Sequence, residues 1–258
     1  MDMDERNGRL RLVVGPGADP ETARRLAEEL DTGPAGEEGL TLRLDGEGLA
    51  LVCGEQVLMG DFARMLPRLQ SGRLPGELLV RAAKIKDPDH PLTAVDATAG
   101  LGEDSLLLAA AGFRVRLFER NPVVYALLAD AVRRAAGIPE LAGAVGRMEL
   151  CCGDSIQGMK GLESPPDVIL LDPMFPARQK SALVKKKLQV IQKLELPCAD
   201  EAELLRTAME AAPKKLIIKR PPKGPFLAGV KPDYSIAGKA VRFDCIVEPY
   251  QKMHKYKL

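Results

Sequence analysis

Residues 92–105, with the sequence LTAVDATAGLGEDS, decide the predicted fold. The first five form a short apolar run that ends in Asp96, a pattern that predicts a buried β-strand. Gly100 and Gly102 follow where the chain must turn tightly into a helix, and residues without a side chain also let a ligand press against the backbone. In doubly wound sheets, ligands bind at this place, the carboxyl ends of the strands. The stretch therefore predicts an α/β fold with a ligand site in the glycine loop.

The same rhythm of strand followed by helix continues on the carboxyl side of this stretch. We predict strands at residues 92–96, 114–119, 148–152, 168–172, 215–219 and 242–247. We predict helices at residues 104–111, 123–136 and 201–211. Short apolar strands that alternate with helices indicate a mostly parallel sheet with helices on both faces.

The amino-terminal third of the chain has a different pattern and predicts a small α+β module. Its predicted elements are a strand at 10–15, a helix at 19–30, a hairpin of 40–45 and 49–53 around a DGEG turn, and a helix at 75–84. Asp19 is the expected cap of the first helix, with Pro20 at its first position. The segment KDPDHP at 86–91 breaks both periodicities and predicts a linker. We therefore expect two domains, residues 1–86 and 87–258.

Composition excludes several classes of protein. The 258 residues are 46% hydrophobic, enough for a sizeable core, and a net charge of +1 neither requires nor excludes a nucleic-acid partner. Five Cys without a C-x-x-C pair and only two His give no zinc pattern and no disulfide framework, so we expect no metal and reduced thiols. The first residues, MDMDERNGRL, are charged, and no run approaches the roughly 20 apolar residues of a membrane span. We expect a cytoplasmic protein without a membrane partner.

The glycine loop distinguishes between cofactors. A dinucleotide fingerprint has a third glycine three residues after the second, and Ser105 stands at that position. Asp96 is a poor neighbour for a pyrophosphate, whereas its charge suits a cation such as the amino group and sulfonium of S-adenosylmethionine (SAM). Purely structural glycines would explain Gly100 and Gly102 without a ligand. Together with Asp96, however, the loop predicts SAM binding and argues against NAD.

Two further acidic residues are predicted at the same edge of the sheet. Glu119 ends the second strand, in RVRLFERNP, where a carboxylate can accept hydrogen bonds from both ribose hydroxyls. Asp154 follows the third strand, in CCGDS, and either accepts a hydrogen bond from the adenine amino group or caps a helix that begins near Ser155. We therefore predict that Glu119 binds the ribose, and both roles of Asp154 stay open.

A strand-end turn, DVILLDPMFP at residues 167–176, predicts the catalytic site. Its layout resembles the D/N-P-P-Y/F motif of amino-group methyltransferases, with Met174 in place of the second proline. Asp172 would accept hydrogen bonds from the N–H groups of an exocyclic amine and direct the nitrogen lone pair at the methyl group. Pro173 would stiffen the turn, and Phe175 would stack on an extruded base. We expect direct in-line transfer without a covalent enzyme intermediate. An ordinary turn rich in Asp and Pro is the alternative.

The segment that follows, ARQKSALVKKKLQVIQKL at residues 177–194, is basic and contains no acidic residue. Lysine runs often only solvate a face, but the position beside the predicted acceptor site favours contacts with nucleic-acid phosphates. Two cations in IIKRPP, at the end of the fifth strand, belong to the same rim. The predicted RNA contacts are Arg178, Lys180, Lys185, Lys186, Lys187, Lys219 and Arg220.

The motifs of this chain resemble those of the ribosomal RNA small subunit methyltransferase J family. The resemblance lies, in the same order, in VDATAGLGED, RVRLFERNPVVYALL, VILLDPMFPARQKSALVKK, IIKRPP and VRFD. It implies a Rossmann-like class I methyltransferase with a mostly parallel seven-stranded sheet and SAM as cofactor. It also implies that the acceptor is the exocyclic N2 of a guanine in 16S ribosomal RNA, either as free RNA or within the small ribosomal subunit. The family's cofactor-contacting positions are occupied here by Glu103, where the family often has Arg, and by Asp104, Glu119, Arg120, Asp154, Ser155 and Asp172.

Two other functions are compatible with these residues. The same catalytic turn would serve an amino-group methyltransferase that acts on DNA adenine or on a protein glutamine. A non-catalytic RNA-binding module could keep the fold, but it would have no need of Asp96, Glu119 and Asp172 together. The basic segment favours nucleic acid over a protein side chain and does not separate RNA from DNA.

Overall fold

The computed structural model describes residues 10–30, 40–173 and 201–255, and two β-sheets organise them. The strands are β1 (Arg11–Val14), β2 (Thr41–Asp45), β3 (Gly48–Cys53), β4 (Gln56–Leu58), β5 (Thr93–Asp96), β6 (Arg114–Glu119), β7 (Met148–Cys152), β8 (Val168–Leu171), β9 (Lys215–Arg220), β10 (Tyr234–Ala237) and β11 (Arg242–Val247). The helices are α1 (Pro20–Glu29), α2 (Leu66–Leu69), α3 (Leu78–Ala83), α4 (Glu103–Ala110), α5 (Pro122–Ala136), α6 (Pro139–Val145), α7 (Ser155–Lys160), α8 (Glu201–Glu210) and α9 (Pro249–Lys252).

The larger sheet has seven strands in the order β10-β11-β9-β8-β5-β6-β7. Strands β9, β8, β5, β6 and β7 run parallel to one another. On one side, β11 pairs antiparallel with β9, and β10 pairs antiparallel with β11. The predicted α/β class with a mostly parallel seven-stranded sheet is therefore confirmed. Because the strands β9, β8, β5, β6 and β7 are parallel, the residues that follow β5, β6, β8 and β9 lie at the same edge of the sheet.

Both faces of this sheet are covered by apolar side chains, as parallel sheets require. Along β8, Val168 and Leu170 belong to a core cluster shared with α4, whereas Ile169 and Leu171 belong to a second cluster shared with α8. All four side chains are buried. Full burial of such a side chain stabilises the fold by about 1.5–3 kcal/mol. The alternation fixes the register of β8 and hence the position at which the next residue, Asp172, leaves the sheet.

The smaller sheet has the order β1-β2-β3-β4, with β1 parallel to β2 and the others antiparallel. It packs on α5, whose Val123 and Leu127 share a core cluster with apolar side chains of β2 and β3. Helix α1 begins as predicted: Pro20 is its first residue, and the Asp19 side chain accepts a hydrogen bond from the Thr22 N–H. The predicted helix at 75–84 begins only at Leu78, because Pro75 lies in a short 3-10 turn.

Helix α3 complicates the predicted division of the chain after residue 86. Leu79, Ala82 and Ala83 of this helix are buried in the core cluster of the larger sheet, together with Ile217 of β9 and Phe243 of β11. The chain before residue 87 therefore forms the smaller sheet and also packs against the larger one through α3, and the domain boundary stays a prediction. No helix within residues 10–30, 40–173 and 201–255 is long and apolar enough to cross a membrane.

Asp130 of α5 links this helix to the smaller sheet. Its Oδ2 accepts hydrogen bonds from the Leu49 N–H (2.9 Å) and from Arg134 Nε (2.7 Å), and its Oδ1 accepts one from Arg133 (2.7 Å). Arg134 also donates to the Gly60 carbonyl. The Asp130 side chain is buried, which opposes ionisation, but these donors outweigh burial and lower its pKa below the ordinary value.

The substitution Asp130→Ala is expected to lower the free energy of unfolding by about 3 kcal/mol, because it leaves the buried Leu49 N–H and the partly buried Arg134 guanidinium without their acceptor. Urea unfolding at neutral pH measures this change. Glu28→Ala is the control, since it breaks only the exposed ion pair with Arg24 and should cost less than about 1 kcal/mol. Equal stability of the two variants would contradict the role given to Asp130.

Candidate functional site

Three carboxylates lie next to one another at the carboxyl edge of the parallel strands. Asp96 ends β5, Glu119 ends β6, and Asp172 follows the last residue of β8. Strands β8, β5 and β6 are immediate neighbours in the sheet. The structure therefore brings together the three acidic residues that the sequence placed at this edge.

The glycine loop between β5 and α4 adopts the conformations that only glycine accepts easily. Gly100 and Gly102 have φ angles of +53° and +76°, in the left-handed region. A Cβ on Gly102 would lie 2.6 Å from Leu128 Cδ1, so packing also disfavours a side chain there. A Cβ on Gly100 would meet no atom within 4 Å. The loop therefore leaves open space beside the backbone at Gly100, which fits a cofactor pressed against this turn.

Glu119 connects the glycine loop to the end of β6. Its Oε2 accepts a hydrogen bond from the Gly100 N–H (3.0 Å), and its Oε1 accepts one from the Asn121 N–H (2.8 Å). The residue is only 5% exposed, and burial raises the pKa of its carboxyl although the two N–H donors oppose the shift. Each carboxylate oxygen has a second lone pair that can still accept from a ribose hydroxyl. The geometry fits the predicted ribose ligand, and that role stays a prediction.

Asp96 is the most deeply buried of the three carboxylates, with 2% of the residue exposed. Its Oδ2 accepts a hydrogen bond from the Ser105 hydroxyl (2.6 Å), and its Oδ1 accepts one from the Thr98 N–H (3.1 Å). Burial raises the pKa of Asp96 to about 7 against the opposing effect of these two bonds. Its charge therefore changes near neutral pH, which makes any cation bound beside it sensitive to pH.

Asp172 is held in place through both its backbone and its side chain. Its N–H donates to the Thr98 hydroxyl (2.6 Å), which joins the end of β8 to the residues that follow β5. Its Oδ2 lies 3.0 Å from Lys219 Nζ, and the side chain is 40% exposed. Burial of the carboxyl group and the nearby Asp104 charge raise its pKa above the ordinary value, and Lys219 limits this rise. Pro173, the next residue, is buried.

The first turn of α4 carries the acidic residues Glu103 and Asp104. Asp104 Oδ2 lies 2.5 Å from Lys219 Nζ, so one ammonium group contacts both Asp104 and Asp172. Glu103 is exposed on the same turn. The predicted contacts of these two acidic residues with the cofactor stay predictions.

The structure provides evidence for one of the two roles left open for Asp154. Its Oδ1 accepts hydrogen bonds from the Ile156 N–H (2.8 Å) and the Gln157 N–H (3.1 Å), which makes it the cap of α7. Ser155 is the first residue of that helix, and Arg120 is exposed directly after β6. Contacts of these residues with the adenine or the ribose stay predictions.

The two cationic residues at the end of β9, Lys219 and Arg220, both contact other groups of the protein. Lys219 contacts two carboxylates, and Arg220 is only 2% exposed and donates through Nε to the Pro225 carbonyl (2.8 Å). Burial lowers the pKa of Arg220. These contacts explain both cations without RNA, and the predicted RNA contacts of the two residues stay predictions. The other predicted RNA contacts and one predicted catalytic residue lie outside the described residues: Arg178, Lys180, Lys185, Lys186, Lys187 and Phe175.

Two residues near the site were not expected from the sequence. The Thr98 hydroxyl accepts the hydrogen bond from Asp172, which only the neighbouring positions of β5 and β8 could have revealed. Arg242, at the start of β11, donates to the carbonyls of Pro222 (2.9 Å) and Gly224 (3.1 Å) and thereby orders the turn after β9. Its guanidinium carbon also lies 5.1 Å from the centre of the Phe226 ring.

No group of three or more His, Cys, Asp or Glu side chains in the described ranges has the arrangement of a metal site. The arrangement of buried carboxylates, an open glycine turn and one shared lysine is instead compatible with an organic cation. An adenosine carries hydroxyls for Glu119, and a sulfonium beside it supplies the positive charge. SAM combines both features, so the residues present fit this cofactor.

Comparison with known proteins gives matches over most of the chain. A family model described as "Putative SAM-dependent methyltransferase" matches residues 26–248. A protein named ribosomal RNA small subunit methyltransferase J from Thioalkalivibrio sulfidiphilus is 44% identical over 238 residues, which are 88% of this chain and 93% of that protein. One of the same name from Marinobacter nauticus is 39% identical over 251 residues, covering 91% of this chain and 90% of that protein. The crystal structure of a SAM-dependent methyltransferase from Neisseria gonorrhoeae superposes with a TM-score of 0.73 at 30% identity, covering 92% of this chain and 96% of that one.

The affinity for SAM is expected to rise as the pH increases from about 6 to about 7.5. The reason is that the Asp96 carboxylate ionises as the pH passes its pKa of about 7 and then attracts the cation. Calorimetric titration at several pH values measures this dependence. In Asp96→Asn we expect binding about tenfold weaker and nearly independent of pH in this window.

Ser105→Ala provides the matched control for this prediction. It removes a hydrogen bond that lowers the pKa of Asp96, so the rise in affinity should move to higher pH and persist. An affinity of the wild-type protein that does not change with pH, or full affinity in Asp96→Asn, would show that Asp96 does not face the cofactor.

Proposed function

We propose a ribosomal RNA acceptor for this chain, which belongs to the ribosomal RNA small subunit methyltransferase J family of SAM-dependent methyltransferases. In this proposal the chain transfers a methyl group to the exocyclic N2 of a guanine in 16S RNA. Both relatives described above carry small-subunit ribosomal RNA in their names. The basic residues at 177–194 supply charge for an RNA partner.

One observation supports the catalytic part of the proposal most directly. Asp172 is fixed by the Thr98 hydroxyl and by Lys219 beside the glycine loop, yet its side chain is 40% exposed. A carboxylate that is fixed in direction and reachable from outside can meet an incoming acceptor. SAM supplies a methyl group on a positively charged sulfur, and the residues of the chain have to bring the amine to it.

The chemistry explains why a carboxylate is placed there. The lone pair of an exocyclic amine on a base is delocalised into the ring, so the amine is a poor nucleophile. Asp172 accepts a hydrogen bond from an N–H group of the amine and thereby turns the lone pair toward the methyl group. It then takes the proton that the nitrogen loses after transfer. Orientation of this kind can lower the barrier by about 7–11 kcal/mol in favourable cases.

The other site residues act on the cofactor in this proposal. Glu119 binds the ribose, Asp96 faces the positive end of the cofactor, and the turn at Gly100 gives the backbone close access to it. Pro173 stiffens the catalytic turn, and the residue predicted to stack on the base is Phe175. The basic residues Arg178, Lys180 and 185–187 contact RNA phosphates in this account.

Replacement of Asp172 by Asn is expected to lower the rate of methyl transfer by about 10²–10⁴-fold, because the amide keeps the shape of the side chain but cannot take a proton. The affinity for SAM should change by less than about threefold, because Asp172 faces the acceptor in this proposal. The assay follows labelled methyl groups from SAM into 16S RNA that lacks the modification. Glu163→Gln, an exposed carboxyl on the loop before β8, is the control and should keep full activity. Retained activity in Asp172→Asn would remove Asp172 from the reaction.

The acceptor itself is tested by mass-spectrometric mapping of modified nucleosides in cells with and without this gene. Deletion should remove one N2-methylguanosine from 16S RNA, the wild-type gene should restore it, and Asp172→Asn should not. Loss of a methylated adenine in DNA or a methylated glutamine in a protein would contradict the RNA acceptor and leave the methyltransferase class intact.

A further inference from the structure

We propose that Lys219 is a positioning residue that holds the Asp172 carboxylate ionised and fixed in direction by tying it to Asp104. The inference rests on the proposed role of Asp172 and goes beyond it, because the sequence pointed to Lys219 only as an RNA contact. The three residues come from separate elements: Asp172 follows β8, Lys219 lies on β9, and Asp104 lies in the first turn of α4. Lys219 therefore connects the helix of the glycine loop with the catalytic turn.

The distances from the Lys219 ammonium group to two carboxylates support the proposal. Lys219 Nζ lies 3.0 Å from Asp172 Oδ2 and 2.5 Å from Asp104 Oδ2. The Lys219 side chain is 29% exposed and the Asp104 side chain 20% exposed, so the ion pairs are partly shielded from water. The ammonium group has three N–H donors and these two carboxylates use two of them, so at most one donor is left for a phosphate, which both carboxylates would repel. The observed contacts therefore favour the positioning role over the RNA contact.

The charges around Asp172 explain why it needs this lysine. The carboxyl groups of Asp96 on β5 and Asp104 on α4 repel a negative charge on Asp172. Lys219 and Arg220, both on β9, attract it. Burial opposes the charge on Lys219, but the Asp104 and Asp172 carboxylates raise its pKa above the ordinary value. Lys219 thus stays protonated at neutral pH. Without it, a partly buried Asp172 would be left beside two other carboxyl groups and would hold its proton more tightly.

The consequence for the reaction follows from the proton balance. During transfer the nitrogen lone pair forms a bond to the methyl carbon, the bond from carbon to sulfur breaks, and its electron pair stays on sulfur. The nitrogen then carries a positive charge and releases one proton, which the Asp172 carboxylate receives. A protonated Asp172 could neither receive this proton nor orient the amine as an acceptor. Lys219 keeps the carboxylate in the form that does both.

The test measures the pKa of Asp172 in the protein without cofactor or RNA. The protein is labelled with ¹³C in the side-chain carboxyl groups of Asp, and the Asp172 signal is identified by its loss in Asp172→Asn. In Lys219→Met the pKa of Asp172 should rise by about one unit or more, and in Lys219→Arg it should stay near the wild-type value. In Asp104→Asn it should fall, because a repelling charge is removed and Lys219 is left to Asp172.

Methyl transfer as a function of pH provides the second readout. Asp172 acts as a base, so the rate should fall as the pH drops through its pKa, and in Lys219→Met this fall should occur at higher pH. Near neutral pH the variant should be about tenfold slower, with recovery toward the wild-type rate at higher pH and an unchanged KM for RNA. Lys223→Met is the matched control, because it removes an exposed lysine four residues later and should alter neither the pKa nor the pH profile.

The outcomes separate this proposal from its rivals. A folded Lys219→Met protein in which the pKa of Asp172 is unchanged overturns the proposal, as does a rate that is reduced equally at every pH. A higher KM for RNA with a weaker salt dependence, and no change in the pKa, would make Lys219 an RNA contact instead. If Lys219→Met does not fold, two other variants still decide the question. The pKa of Asp172 should fall in Asp104→Asn and stay near the wild-type value in Lys219→Arg, and a pKa that does not fall in Asp104→Asn overturns the proposal. Failure of the proposed function would appear differently, as a wild-type protein that transfers no methyl group to RNA.

Discussion

Burial of negative charge at the carboxyl ends of the parallel strands is the constraint on which the rest of the site depends. A carboxylate removed from water is costly unless donors surround it. The structure supplies these donors one by one: the Ser105 hydroxyl for Asp96, the Gly100 N–H for Glu119, and Lys219 for Asp172. The partners thus fix the direction of each carboxylate before any ligand arrives.

The same constraint explains the shape of the loops. The left-handed backbone at Gly100 directs its N–H to Glu119 and leaves open space on the other side. The carboxyl groups of Asp96, Asp104, Glu119 and Asp172 outnumber the one lysine that two of them share. This edge therefore favours a cationic ligand such as the methyl donor. The negative charge of the site therefore suits SAM, the cationic cofactor of the family.

Much of this arrangement could be predicted from the sequence, because it is encoded in local patterns. Short apolar runs predicted six strands of the larger sheet to within one residue, and the acidic residues at their ends predicted the place of the site. The family membership is also confirmed. The seventh strand, β10, is a short and largely exposed edge strand whose sequence has no clear alternation. The pairing of Lys219 with Asp104 and Asp172 could not be predicted, because it depends on which strands are neighbours and on side-chain direction. For the same reason the burial of Arg220 was not foreseen.

The most direct test of the account is a crystal structure of the protein with SAM bound. The account predicts that the ribose hydroxyls contact Glu119, that the adenosine lies against the turn at Gly100, and that the methyl group points toward Asp172 across the edge between β5 and β8. A cofactor bound elsewhere, or bound at this edge with its methyl group directed away from Asp172, would contradict it.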